Sequence, residues 1–285
     1  MPSNNLFTLI FTLLFFPSFH STAYPANKAE GLEIVFENNK YRFTPRQRAI
    51  AQRIIVHSSE KVRTLLPSLP SQIKVSLLIT NENLNDIGGV NGVALRNNPA
   101  EVVIAISRKY PGGILAAMKK SLSVIIFHEF HHLSRGWAYH DNAFEANVLN
   151  ASINEGLAIV FAEKYTGISL ARFNYPHEIN HWIREIRALP QNANFDHWMF
   201  EHPDGRSAIG YKVGKHLVEI ILKNTRKSIV EVSKYSPEEI LQIADQSFLM
   251  GSSTTPLFPG FPLASPGKSS PFAESSTKSR HNPNP

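Results

Sequence analysis

The stretch from Ser123 to Gly136, SVIIFHEFHHLSRG, is apolar on every side from Val124 to Phe127 and then carries His128, Glu129, His131 and His132. A helix that is apolar all round belongs inside a fold, so this chain must wrap other elements around it. Ionisable groups buried there without partners would cost several kcal/mol. They need either a common ligand or a closed set of hydrogen bonds, as core histidines without metal would make.

His128, Glu129 and His132 stand in the pattern HExxH. Two imidazoles at i and i+4 share one helical face about a turn apart, from which both can reach a single Zn²⁺ at roughly 2.0 to 2.1 Å. Glu129, next along the helix, is then placed beside the water such a metal activates, where a carboxylate serves as general base. The chain has no cysteine, which excludes thiolate ligands, disulfides and a thiol nucleophile. Any metal must be held by His, Asp or Glu.

Three protein ligands and one open position are the usual catalytic arrangement. Glu155 is the best third ligand, in ASINEGLA from Ala151 to Ala158. The spacing predicts a second amphipathic helix, Asn142 to Tyr165, that packs antiparallel to the first after the turn at Gly136. Gly156 would let the two backbones approach, or is an ordinary packing glycine. Glu145 and Glu163 on the same predicted helix compete for the role. A HExxHxxGxxH scheme would instead use His140, although Gly136 and His140 fall one and two places late for it.

These residues resemble the gluzincins, metallopeptidases with HExxH on one helix and a glutamate ligand on a following helix. NEGLA, Asn154 to Ala158, is similar to the NEG-x-A signature of the aminopeptidase branch. The succession HEFHH, NEGLA and GYKVG most resembles a bacterial family of predicted zinc-dependent proteases, over about Gly113 to Asn224. The resemblance implies that His128, His132 and Glu155 bind one zinc ion and that Glu129 is the base. It implies a peptide or protein substrate. The exopeptidase motif of the aminopeptidases is missing, and Ile159 stands where a thermolysin-like protein has Asp.

Gly210-Tyr211-Lys212-Val213-Gly214 has two readings. Tyr211 resembles the family's GYxxG tyrosine, a catalytic donor to a developing oxyanion. The glycines, four apart, fit close helix packing. His131, His202 and Arg206 are further candidates for the neighbourhood of the site. A carboxylate-bridged di-iron bundle is the rival metal scheme, with ExxH at Glu129/His132 and at Glu178/His181. A non-catalytic exported zinc-binding protein is the non-enzymatic rival, and retention of a base at Glu129 argues against it.

The rest of the chain frames this segment. Leu6 to Phe16 is an apolar run too short to span a bilayer, followed by Pro17 and the small residues Ser21, Thr22 and Ala23. This predicts a signal peptide over 1–23 with cleavage before Tyr24, and an exported protein, periplasmic or secreted. An uncleaved N-terminal anchor is the alternative. Ser252 to Pro285 holds seven of the 19 prolines and eight serines and is read as a disordered tail. The net charge of +6 is scattered, which argues against nucleic-acid binding.

Residues 24–251 then form one metallopeptidase-like domain of the α+β class, a small N-terminal mixed sheet with a helix followed by a mainly helical lobe. Leu32 to Phe36 and Ile73 to Ile79 read as strands. Gly92 to Arg96 and Glu101 to Ile106 read as a hairpin, with Glu101 to Ile106 as an exposed edge for an extended substrate. Thr44-Pro45 opens a helix to about Leu66, with Ile50, Ile54, Val62 and Leu65 on one face. Helices are also predicted over Ile114 to Arg135, His177 to Leu189 and Arg206 to Asn224, and from Ser236 onward.

Overall fold

The computed structural model describes residues 31–38, 40–95, 98–139 and 142–251. The expected signal segment 1–23, the tail 252–285 and His140 lie outside the described residues. The architecture is α+β, a four-stranded mixed sheet followed by a helical lobe.

Strands β1 (Leu32–Phe36), β2 (Ile73–Thr80), β3 (Val90–Leu95) and β4 (Ala100–Ser107) lie in the order β1-β2-β4-β3. β1 and β2 are parallel, as are β2 and β4, with Leu32 opposite Ile73 and Val75 opposite Val102. β3 returns antiparallel to β4, Gly92 opposite Ile104 and Ala94 opposite Val102. The sheet therefore corrects one expectation: β4 is an interior strand, and the hairpin exposes β3 at the edge. A strand with parallel β2 on one side has only its other side for the returning hairpin partner, so β4 keeps no free edge.

Helix α1 (Pro45–Leu65) begins at a capping box, in which Thr44 Oγ1 accepts from the Gln47 N–H and Gln47 Oε1 accepts from the Thr44 N–H. Its buried stripe is Ala51, Ile55, Ser58, Ser59 and Val62, with Ile50 and Ile54 only half-buried. The doublet Ile54-Ile55 suits either face. Small residues at 51, 58 and 59 decide, because they let α1 approach the following helices, where Ser58 Oγ meets Ser123 Oγ at 3.2 Å.

The helical run after β4 comprises α2 (Gly113–Ala117), one π turn (Met118–Leu122) and α3 (Ser123–Arg135). A π turn inserts an extra residue and rotates the face that the next helix presents. α3 carries the HExxH residues and ends at Gly136, whose φ of 72° is the left-handed turn that glycine adopts without a Cβ penalty. The Trp137 N–H then donates to the His132 carbonyl at 3.0 Å, closing the helix end.

Helix α4 (Val148–Thr166) begins six residues later than expected. Asn147 is its N-cap and accepts from the Asn150 N–H, while Asn142 accepts from the Ala138 N–H within the preceding loop. Asparagine side chains thus shape a loop where the apolar pattern alone suggested helix. Arg135 near the end of α3 donates to Asn154 early in α4, whereas Phe127 near the start of α3 packs on Phe161 and Tyr165. The two helices are therefore antiparallel.

Short helices α5 (Ile179–Arg187) and α6 (Phe195–Met199) precede α7 (Ile209–Thr225), then α8 (Ile229–Val232) and α9 (Pro237–Gly251). α7 crosses α4 with backbones touching. A Cβ on Gly156 would stand 2.1 Å from the Gly214 carbonyl carbon, and one on Gly214 would stand 1.7 Å from the Ser152 oxygen. The glycines of GYKVG therefore pack helices, and the crossing sets Tyr211 one turn from Gly214 on the side of Glu155.

Candidate metal centre and its cleft

A cleft of about 550 Å³ opens between the edge strand β3, helices α3 and α4, and the loops around α6 and α7. His128, Glu129, His132, Glu155 and Tyr211 all line it. His128 Nε2 and His132 Nε2 lie 3.0 and 3.2 Å from Glu155 Oε2 and 2.9 Å from each other, with the rings nearly perpendicular. Among the described residues these three form the one group of His, Cys, Asp or Glu able to share a metal ion.

The donor set fits a small divalent cation. A tetrahedral zinc with ligands at about 2.0 to 2.1 Å needs its donors about 3.3 Å apart, so the triangle has to open by only a few tenths of an ångström. Two imidazole nitrogens and a carboxylate oxygen at such separations are mutually unfavourable lone pairs unless a proton or a cation sits among them. Burial pushes the Glu155 carboxyl up, but the His132 charge and the hydrogen bonds of both imidazoles outweigh it and hold the group well below the usual carboxylate range. An anionic Glu155 is what cation binding requires.

Glu129 points to the other wall of the cleft. Burial lifts its carboxyl to about 7, against the opposing pull of His128 and a hydrogen bond donated by the Ala94 N–H of β3; the Glu155 charge adds to the rise. β3 comes this close because of Gly92. A Cβ there would sit 2.6 Å from Ile125 Cγ2 and 2.7 Å from Glu129 Cγ.

Tyr211 stacks on Phe173 at 5.3 Å between ring centroids. Burial, reinforced by the charges of Glu155 and Glu129, raises its phenol well above the ordinary value, with Arg172 opposing. The group stays protonated and able to donate. Arg172 also lines the cleft, and its guanidinium bridges Asp86, beyond β2, and Glu201, after α6.

Other sequence candidates stand elsewhere. Glu145 is exposed in the loop before α4 and accepts from Asn147. Glu163 lines the cleft two turns beyond Glu155 but is paired with Lys215 at 2.8 Å. His131 is fully buried on the back of α3, with Nε2 2.8 Å from Ser233 Oγ and its ring against Phe161. His202 and Arg206 join Asp204 and Glu185 outside the cleft lining. Glu178 and His181 are exposed at α5, which removes the second half of the di-iron scheme.

Three participants escaped sequence reasoning. Gly92 and Ala94 meet Glu129 only because the hairpin lies against α3. Trp137 donates its indole N–H to Glu155 Oε1 at 3.3 Å; a large amphipathic ring directly after a helix-ending glycine was the available signal. Comparison with curated proteins finds no match. A family model described as "Predicted Zn-dependent protease (DUF2268)" matches residues 52–242, two thirds of the sequence and all the cleft elements from β2 to the start of α9. The chain belongs to that family of predicted zinc-dependent proteases.

Proposed function

We propose that this protein is an exported zinc peptidase of the gluzincin type, which hydrolyses peptide bonds with water and uses Glu129 as general base. The observation that carries the reading is the meeting of His128 Nε2, His132 Nε2 and Glu155 Oε2 from two helices, with a protonatable carboxylate one residue along and facing the same cleft. His128, His132 and Glu155 hold the metal. Zinc bound there supplies Lewis acidity, polarising a carbonyl and acidifying a water.

The chain's own groups account for the remaining work. Glu129 takes a proton from the attacking water and delivers it to the departing amine. A buried carboxyl facing the same cleft, one residue along from His128, is placed for both directions of that transfer. The Ala94 N–H steers its carboxylate. Tyr211 donates its phenolic hydrogen to the carbonyl oxygen as charge develops there.

β3 offers the binding edge. Ala94 directs its N–H to Glu129 and its carbonyl to the Tyr139 N–H, both away from β4. By strand alternation the next outward pair belongs to Gly92, which an extended peptide meets as an added strand.

The test is a peptide-library digest by the purified chain lacking residues 1–23, with and without a chelator. Cleavage is expected and should vanish on chelation, returning with zinc. Cleavage indifferent to the chelator would remove the metal mechanism. Export is tested separately by N-terminal sequencing of the protein from its native host, where a start at Tyr24 is expected.

A further inference from the structure

We infer that Trp137 is a positioning residue for the metal site, holding the Glu155 carboxylate so that a single oxygen faces the two imidazoles. The inference rests on the reading of His128, His132 and Glu155 as a zinc site. Glu155 has two oxygens, and the structure gives them different partners: Oε2 lies among the Nε2 atoms, while Oε1 accepts the indole N–H at 3.3 Å. A carboxylate free to rotate could turn both oxygens toward a cation and fill the corner that a substrate or water needs. With Oε1 engaged, that rotation breaks the hydrogen bond donated by Trp137, a buried residue.

The backbone of the same residue fixes where the indole points. Gly136 takes the left-handed conformation, the Trp137 N–H caps the His132 carbonyl at 3.0 Å, and two residues later the Tyr139 N–H donates to Ala94 of β3 at 2.9 Å. Trp137 is thus tied through its main chain to one ligand residue and through its side chain to another on a different helix. Groups that hydrogen-bond metal ligands typically change metal affinity about 10- to 100-fold when removed.

Trp137→Phe keeps a large apolar ring and deletes the donor. Its zinc dissociation constant, measured by chelator competition, should rise about 10-fold or more, while the metal-free variant unfolds near the wild-type denaturant midpoint. An unchanged dissociation constant would overturn the inference. So would a loss of metal-free stability large enough to account for the weaker binding, since that assigns the ring to packing.

A second measurement leaves Trp137 intact. The chain has three tryptophans, so Trp182→Phe/Trp198→Phe isolates this one. Zinc should shift its emission and chelator should reverse the shift; a silent indole counts against the inference. Wild-type protein that takes up no zinc brings down the metal reading itself, and that result appears before any variant is made.

Discussion

In the proposed mechanism, Glu129 stands at the point where stability and chemistry oppose each other. In the metal-free protein its carboxyl is lifted from 4.5 to about 7, chiefly by burial. Between those values the unfolded chain loses the proton and the folded chain keeps it. Its contribution to stability is therefore full below about pH 4.5 and falls as pH rises to about 7, by about 3 kcal/mol at most. Glu155, held low, acts oppositely and loses its contribution in acid. Glu129→Gln should flatten the decline between pH 4.5 and 7 in denaturant titrations of the metal-free protein. The same variant should retain zinc stoichiometrically and lose peptide turnover by about 10²-fold or more. Turnover near the wild-type rate would remove Glu129 from its role. At this scale the sequence was legible wherever helical period alone decides proximity, as for His128, Glu129 and His132. It was illegible where a contact crosses elements, as between Ala94 and Glu129 or Trp137 and Glu155.

Elements were legible where local chemistry marks their ends. Thr44-Pro45, the turn at Gly136 and the apolar run of β2 each identify a boundary or a strand. The late start of α4 and the face of α1 were hidden because side-chain caps at Asn147 and serine-mediated packing at Ser58 compete with apolar pattern. The edge position of β3 depends on strand order, which no single strand's residues specify. The crossing of α4 and α7 invites a direct test. Gly156→Ala or Gly214→Ala must push two backbones apart, and overpacking of this kind costs about 1–3 kcal/mol or more. Chemical denaturation should report that loss in both variants.

For the whole molecule, the proposed zinc site makes metal and fold one equilibrium. The two helices that carry His128, His132 and Glu155 meet there only when folded, so on that proposal zinc at 100 times its dissociation constant should stabilise the protein by about 2.7 kcal/mol. For a domain of this size each kcal/mol raises the melting temperature by roughly 2–4 °C. A zinc-dependent rise in Tm is expected for the wild type and none for His132→Ala; an equal rise in both would place the binding elsewhere. Where the main chains of α4 and α7 touch at Gly156 and Gly214, Glu155 and Tyr211 are spaced by the peptide skeleton itself. The apolar walls of the cleft are then free to vary from one descendant of this protein to another, or under a designer's hand, and each new wall inherits the same span between acid and phenol.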